Sequence, residues 1–283
     1  MNGDSAAVAR HYGRGGLLGR ILGGLAEAGK DIERLGIDDL APIDEFHSRR
    51  RLATEELARM LAPTATDQVI DIGSGIGGPS RYLAATYGCR VSGVDLTDEF
   101  VAVATELTRR TGLADRADFR VGSALDLPFP PACFDLAWTQ NVAMNIADRP
   151  RFYAEIARVL KPGGRLAMQD VAQGPDGPVH FPVMWADTPA LSFLRTPEDT
   201  RAMLEAAGFV VQAWEDNTAA AIAEAAAERA RAAAAPGGRP VLGVHLVVGD
   251  GFREKMRNSQ RSLAEGRARL INAVLVKGTG RDE

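Results

Sequence analysis

The sequence has few cysteines and no long, uninterrupted apolar segment in its 283 residues. Cys89 and Cys133 are too few for a disulfide framework and too far apart for a CxxC redox or zinc motif. The apolar stretch at 17–25 is broken by Arg20 and by glycines, so it lacks the continuous core of a signal peptide and the length of a membrane span. We therefore expect a cytoplasmic protein with no membrane contact.

Positive charge does not predominate either. The 33 Lys and Arg residues are outnumbered by 37 Asp and Glu residues, the formal net charge is -4, and no dense basic stripe occurs. This balance gives no electrostatic reason to bind a phosphate backbone, so nucleic acid is not an expected partner. The four histidines are His11, His47, His180 and His245. Their spacing is not that of metal ligands, so no metal is predicted.

Short apolar runs alternate with helical patterns between about 51 and 217, which predicts βαβ units and a doubly wound α/β sheet. The predicted strands span 68–72, 90–94, 118–122, 134–139, 165–170 and 209–215. Helical patterns at 218–235 and 251–265 flank the breaker Pro236-Gly237-Gly238, and the apolar run 270–276 predicts a seventh strand.

These patterns divide the chain into four parts. Residues 1–50 form a helical extension, because apolar residues recur at helical spacing from Leu17 to Leu25, and this helix is a candidate lid. Residues 51–217 form the core, residues 218–270 a helical cap inserted before the last strand, and residues 271–283 the last strand and a tail.

The strongest local signal is a predicted strand that enters a glycine-rich turn and then a helix, Val69-Ile-Asp-Ile-Gly-Ser-Gly-Ile-Gly-Gly-Pro. Glycines let a ligand approach the backbone, and a helix N-terminus offers unpaired N–H groups. Gly73, Gly75 and Gly78 also satisfy the G-x-G-x-x-G spacing of dinucleotide-binding folds. Taken alone, this turn is also compatible with an NAD-dependent oxidoreductase.

Four further features argue against a dinucleotide. Asp71 would repel a pyrophosphate, whereas its carboxylate could bind an ammonium group. Asp95 ends the second predicted strand, where it could hydrogen-bond two ribose hydroxyls. The segment Ser123-Ala-Leu follows the third strand and could flank an adenine, and Leu160-Lys-Pro-Gly-Gly turns a helix into the fifth strand.

In this order, Asp71-x-Gly-x-Gly-x-Gly, Asp95, Ser123-Ala-Leu and Leu160-Lys-Pro-Gly-Gly resemble class I S-adenosylmethionine-dependent methyltransferases, over roughly residues 55–215. The resemblance implies a Rossmann-like sheet of seven strands, the last antiparallel, with S-adenosylmethionine as cofactor. The implied cofactor-binding residues are Asp71, Gly73, Ser74, Gly75 and Gly77 for the methionine part, Asp95 and Leu96 for the ribose, Ser123, Ala124 and Leu125 for the adenine, and Asn141 beside the sulfonium.

Three flanking segments resemble a narrower group, the sarcosine/dimethylglycine N-methyltransferases. They are Asp39-Leu-Ala-Pro-Ile-Asp-Glu-Phe-His, Met144-Asn-Ile-Ala-Asp and Phe181-Pro-Val-Met-Trp-Ala. The chain departs from that group at Ser48-Arg-Arg-Arg, where such relatives are expected to carry small residues. We therefore expect a remodelled entrance and a different acceptor.

The sequence predicts methyl transfer to a small-molecule acceptor by in-line displacement, with an amine nitrogen as the first candidate. C- or O-methylation of a secondary metabolite and a non-catalytic S-adenosylmethionine-binding protein are the alternatives. His47 and Asn141 are the catalytic candidates, since a neutral imidazole could remove a proton. The candidate acceptor contacts are Asn145, His180, Trp185 and His245. The sequence predicts no oligomeric state.

Overall fold

The computed structural model describes residues 15–234, 241–249 and 251–279. A seven-stranded sheet runs through it in the order β3-β2-β1-β4-β5-β7-β6. Strands β1 to β5 pair in parallel, whereas β7 lies antiparallel between β5 and β6, which confirms the predicted fold. The strands are β1 (Gln68–Ile72), β2 (Arg90–Asp95), β3 (Ala117–Val121), β4 (Phe134–Gln140), β5 (Leu160–Gln173), β6 (Phe209–Asp216) and β7 (Ala268–Lys277).

Helices cover both faces of the sheet. They are α1 (Leu17–Glu27), α2 (Ile37–Asp44), α3 (Arg50–Leu61), α4 (Gly78–Tyr87), α5 (Asp98–Arg110), α6 (Arg149–Val159), α7 (Pro197–Ala206), α8 (Thr218–Ala234), α9 (His245–Val248) and α10 (Phe252–Ala264). The two predicted cap helices are present as α8 and α10. The predicted breaker at 236–238 lies outside the described residues, as do His11 and both ends of the chain.

The fifth strand differs most from its prediction at 165–170. The observed strand begins at Leu160, which pairs with Phe134 before the register shifts. It ends at Gln173 because β7 continues the ladder there by pairing Ala268 with Gln173. The glycine turn expected between helix and strand is therefore part of β5, where Gly163 has φ 74°. The third strand lies one residue earlier than predicted.

The central strands β1 and β4 are buried on both faces because helices cover both sides. Along β1, Val69 belongs to one buried cluster and its neighbour Ile70 to the other, as the alternation of side chains in a strand requires. Trp138 of β4 is fully buried in the same cluster as Val69. The sheet is thus held rigidly between two apolar layers, which fixes the positions of the loops at its edge.

The described part of the N-terminal extension is packed onto the core. Leu17, Ile21 and Leu25 of α1 are buried in a cluster that includes Phe100 of α5. Val247 of α9 lies in the same cluster, so the extension and the cap meet. Within the described ranges, no helix combines the length and the apolar character needed to cross a membrane.

Candidate active site

A cavity of about 870 Å³ lies at the edge of the sheet where β1, β2 and β4 end. Asp71 of β1, Asp95 at the end of β2 and Asn141 just after β4 all line it. Ligands of open α/β sheets bind at this edge, because the loops that follow parallel strands meet there. The cavity is therefore the candidate functional site.

The glycine turn forms one wall of the cavity. The N–H groups of Gly73 and Ser74 donate to the carbonyl of Val94 at 2.7 and 3.1 Å, which fastens the turn to β2. Gly75 has φ 52°, and a Cβ there would lie 3.0 Å from Phe46 Cζ. Gly77 has φ 83° and precedes α4. The positive φ angles explain why glycine occupies these positions.

Asp71 is a buried carboxylate with one side-chain partner, the hydroxyl of Ser80, which donates to it at 2.5 Å. Burial raises the pKa of Asp71 to about 7, and the nearby negative charge of Asp95 acts in the same direction, while the bond from Ser80 opposes it. A cation bound at this wall would favour the ionised form. The site thus suits an ammonium group.

Asp95 shapes the turn and faces the cavity. Its Oδ2 accepts the Gly75 N–H at 2.8 Å and its Oδ1 accepts the Thr97 N–H at 2.9 Å. Burial raises the pKa of Asp95 against these hydrogen bonds. Each carboxylate oxygen has a second lone pair, so the group can still accept hydrogen bonds from two vicinal hydroxyls.

Three residues that line the cavity have a buried polar atom without a hydrogen-bond partner; one of these atoms is Oδ2 of Asp44, whose other oxygen pairs with Arg81. The Ser74 hydroxyl oxygen and the Asn141 Oδ1 are buried without a hydrogen bond. Asn141 also has φ 53°, a left-handed conformation that costs energy in a residue other than glycine. Buried polar atoms are normally satisfied, so both atoms are placed to bind a polar ligand.

Residues that follow β2 and β3 build another wall of the cavity. Leu96, Ala124 and Leu125 provide apolar surface, and Ala124 and Leu125 pack on the main core. Ser123 also lines the cavity, and its hydroxyl accepts the Leu125 N–H at 3.1 Å. Apolar surface bordered by short polar groups suits a heteroaromatic base.

His47 lies in the cavity wall within a polar network that the sequence did not predict. Its Nε2 is 3.0 Å from Glu45 Oε2, and its Nδ1 is 3.2 Å from the Ser48 carbonyl oxygen. The hydroxyl of Thr54 donates to the same Glu45 oxygen at 2.5 Å, and Arg51 Nε donates to the other at 2.5 Å. Both ring nitrogens of His47 thus face acceptor oxygens.

The charges in this network stabilise the carboxylate. Burial alone would raise the pKa of Glu45, but the hydrogen bond and charge of His47, together with Thr54 and Arg51, hold it below its usual range. Gln140 joins the network from the sheet, since its Oε1 lies 3.3 Å from the Thr54 hydroxyl and accepts the Trp138 indole N–H at 2.9 Å. The network fixes the orientation of the imidazole.

Of the predicted acceptor contacts, Asn145 and Trp185 line the cavity. Asn145 Nδ2 donates to the carbonyls of Trp185 and Leu191 at 2.8 and 3.0 Å, so it holds the loop that carries the tryptophan. The Trp185 indole N–H donates to the Ser192 hydroxyl at 2.9 Å, and the ring is almost completely buried. The loop is therefore fixed on both sides of the indole.

Three predicted site residues do not line the cavity. His180 Nε2 lies 2.7 Å from Glu265 Oε2. The ring of His245 lies 6.3 Å from that of Phe252. At Gly77 a Cβ would meet Phe119, not the cavity. A role of these residues in binding stays a prediction.

The arginines at the cavity entrance tie the N-terminal segment to α8. Arg49 donates to both Glu56 and Glu224, with nitrogen–oxygen distances of 2.6 to 3.0 Å. Arg50 Nη2 lies 2.9 Å from Glu228 Oε1. Arg49 and Arg50 both have positive φ, 65° and 47°. Among the described residues, no cluster of three or more His, Cys, Asp or Glu side chains could hold a metal ion.

Comparison with known proteins places this geometry in context. A methyltransferase domain profile matches residues 70–168. The chain is 32% identical over 194 residues to the sarcosine/dimethylglycine N-methyltransferase of Halorhodospira halochloris, covering 67% of this chain and 68% of that enzyme. It is 37% identical over 127 residues to a probable chloroplastic tocopherol O-methyltransferase of Oryza sativa subsp. japonica, covering 44% of this chain and only 35% of that protein.

Several solved structures cover nearly the whole chain, and one of them illustrates the likeness. The geranyl diphosphate C-methyltransferase of Streptomyces coelicolor A3(2), solved with Mg²⁺, geranyl-S-thiolodiphosphate and S-adenosyl-L-homocysteine, superposes with a TM-score of 0.71. The match covers 98% of this chain and 99% of that one, at 19% sequence identity. At this identity the likeness establishes the shared fold.

Proposed function

The chain belongs to the class I S-adenosylmethionine-dependent methyltransferase family, and from this we propose that it transfers a methyl group from S-adenosylmethionine to a small-molecule acceptor. One observation carries the proposal: Asp71, Asp95 and the unpartnered atoms of Ser74 and Asn141 surround one cavity at the edge of the sheet. Asp71 and Ser74 would face the amino acid part of that cofactor, Asp95 its ribose hydroxyls and Asn141 its sulfonium.

The residues present fit the cofactor part by part. Asp71 with the turn at Gly73 and Gly75 would hold the amino acid portion, because a buried carboxylate favours an ammonium partner. Asp95 would accept the ribose hydroxyls, with Leu96 beside the sugar. The adenine would lie against Ala124 and Leu125, edged by Ser123.

The chemistry places few demands on the protein. When bound, S-adenosylmethionine supplies an activated methyl group. An electron pair of the acceptor forms the new bond to the methyl carbon, and the carbon–sulfur bond breaks with its electrons passing to sulfur. The protein's contribution is alignment, which can supply several kcal/mol of the barrier reduction, roughly 7 to 11 at the upper end. We assign alignment to Asn141 and to the loop that carries Trp185.

His47 is the proposed proton acceptor when the acceptor carries a proton that must leave. When the Nε2 proton is donated to Glu45, Nδ1 carries the lone pair that would accept a proton, and the protonated Nδ1 could then donate to the Ser48 carbonyl oxygen 3.2 Å away. Glu45 would hold the ring through Nε2 and stabilise the positive charge that forms. The residues assigned to the cofactor do not determine whether a nitrogen, an oxygen or a carbon is methylated, because all three kinds of acceptor receive the same methyl group.

Two measurements test the proposal. Calorimetry with S-adenosylhomocysteine should give one binding site per chain. Incubation with methyl-labelled S-adenosylmethionine and a panel of amines, alcohols, phenols and activated carbon acids should transfer label to at least one compound. Binding without transfer across a broad panel would support the non-catalytic alternative, and absence of binding would refute the assignment.

A further inference from the structure

The part of the cavity beyond the cofactor residues has an apolar wall drawn from five separate elements. Its members pack in one buried cluster, so they form a continuous surface and not scattered contacts. They are Met144, Val171, Met184, Trp185, Ala221 and Leu263. A surface of this kind contributes favourable binding free energy only when apolar groups cover it, at about 25 cal/mol per Å² of apolar area buried.

Four basic residues that line the cavity are already paired. Arg49 is held by Glu56 and Glu224, Arg50 by Glu228, and Arg51 by Glu45. Lys255 is buried, and its Nζ lies 2.7 Å from Asp187 Oδ1. Arg231 also borders the cavity with an exposed side chain, but it lies about 15 Å along α8 from Ala221 of the apolar wall, at 1.5 Å per residue. An anionic acceptor that lay against the apolar wall would therefore have to break one of the four pairs, leaving a partner carboxylate near the site without its cation.

Most acidic residues that line the cavity are also engaged. Asp44 pairs with Arg81, whereas Asp148 is exposed and accepts the backbone N–H of Arg151 at the start of α6. Glu224 and Glu228 belong to the pairs at the entrance. Asp71 and Asp95 belong to the cofactor half by the assignment above. A cationic acceptor would therefore meet carboxylates that already have an ion-pair or hydrogen-bond partner, and an ion buried against the apolar cluster without its own partner is costly.

From these observations we propose that the acceptor half of the cavity binds an uncharged, predominantly apolar molecule. The inference rests on the proposed methyltransferase function and narrows its substrate class. A carboxylate, a phosphate and an ammonium ion are all disfavoured for one physical reason, since each would lie against an apolar wall whose six members carry no charge. The ion pairs of Arg49 and Arg50 at the entrance would border the bound molecule without contributing to its recognition.

The test uses the uncharged dye N-phenyl-1-naphthylamine, whose fluorescence rises in an apolar site, and the full-length protein saturated with S-adenosylhomocysteine. Three competitors share one chain and differ in head-group charge at pH 8: 1-octanol, octanoate and octylammonium. We expect the dye to bind, and 1-octanol to displace it at concentrations about tenfold lower than either ion, since only the ions must lose hydration without a partner.

A charge placed in the wall should reverse this preference. Leu263→Glu introduces a carboxylate into the apolar cluster, so octylammonium should then displace the dye better than 1-octanol. Ala264→Glu is the matched control, because Ala264 is the next residue of α10 and is exposed. This control should keep the original order. The competition series on the unchanged protein requires no variant and decides the proposal even if Leu263→Glu unfolds.

The outcomes separate this inference from the function on which it rests. Failure of S-adenosylhomocysteine to bind in calorimetry would refute the proposed function. Binding of S-adenosylhomocysteine with no dye uptake would overturn the acceptor class alone. The same conclusion would follow if octanoate or octylammonium competed as well as 1-octanol.

Discussion

Arg81 and Asp44 form an ion pair with a nitrogen–oxygen distance of 2.5 Å in which neither side chain is exposed. Arg81 belongs to α4, the helix that begins at the glycine turn, and Asp44 ends α2 in the N-terminal segment. Arg81 Nη1 also donates to the Thr108 hydroxyl at 3.1 Å. The pair therefore anchors the N-terminal segment directly to the helix that positions the turn.

Breaking this pair on one side should destabilise the fold. Asp44→Ala leaves the Arg81 guanidinium buried without its counter-ion, and we expect a loss of roughly 3 to 5 kcal/mol in the free energy of unfolding. Urea denaturation measures this loss. The double change Asp44→Leu with Arg81→Met removes both charges and should cost clearly less. Asp38→Ala, at a solvent-exposed position, serves as the control and should change stability by no more than about 0.5 kcal/mol.

Asp95→Ala should weaken S-adenosylhomocysteine binding by roughly 1 to 3 kcal/mol, because ribose hydroxyls would lose a charged acceptor. Calorimetry at fixed pH measures the effect. Asp118→Ala, a change to an exposed carboxylate on β3, should leave the affinity unaltered. Gly75→Arg should abolish binding, because a side chain at that φ would fill the cavity. Normal binding by Gly75→Arg would show that the cofactor lies elsewhere.

Binding of S-adenosylhomocysteine should depend on pH through Asp71. The folded-state pKa of Asp71 is raised to about 7, so its contribution to stability without ligand is complete below about pH 4 and is lost as pH rises through 7. An ammonium ligand needs the ionised carboxylate, so its affinity should instead fall as pH drops below 7, approaching tenfold per unit.

Methylthioadenosine separates this effect from general acid damage, because it lacks the amino acid portion. Its affinity should change by less than about threefold between pH 8 and 6, whereas that of S-adenosylhomocysteine should fall by about tenfold. Asp71→Asn should bind S-adenosylhomocysteine weakly and with little pH dependence. Parallel pH curves for the two ligands would remove Asp71 from the ammonium site.

Trp185→Ala should lower kcat/KM for an acceptor found in the labelled-methyl screen while leaving S-adenosylhomocysteine affinity within about threefold. The expectation follows from the position of the indole in the apolar wall. Trp185→Phe keeps an aromatic ring but loses the bond to Ser192, so it should retain more activity than the alanine variant. A collapse of cofactor affinity in Trp185→Ala would assign the residue to the donor side.

Glu45→Gln should lower kcat for an acceptor that must lose a proton, because the amide cannot stabilise a positively charged His47 as the carboxylate does. The pH–rate profile of this variant, compared with His47→Ala, measures the effect. For an acceptor that carries no such proton, both variants should keep kcat near that of the unchanged protein. A lower kcat with that acceptor would assign the pair a structural role.

The sheet and the cofactor half could be predicted because their signals are local. A strand, a glycine turn and a helix are consecutive at Asp71, and β2 ends in Asp95, so short stretches of sequence carry the pattern. The limits of β5 could not be predicted, since its end at Gln173 is set by pairing with β7, about a hundred residues away, and its start at Leu160 by pairing with Phe134 of β4.

The acceptor half was less accessible to prediction for the same reason. Arg49 meets Glu224 across 175 residues of sequence, and no local pattern indicates such a pair. Glu45 does lie two residues before His47, which is the one signal that could have identified the carboxylate partner. His180 lies in a segment that was predicted to border the acceptor, yet its ring nitrogen pairs with Glu265.

The helices inserted between β6 and β7 also bear on how this protein could change over evolutionary time. The predicted cofactor residues all fall within the 70–168 segment, whereas five of the six apolar wall residues lie beyond it, in the β5–α7 loop, in α8 and α10 and at the end of β5. Substitutions or length changes in the inserted segment can therefore alter which acceptor fits while the donor site keeps its structure. Divergence of acceptor choice would then proceed by replacement of this peripheral module around an unchanged donor-binding core.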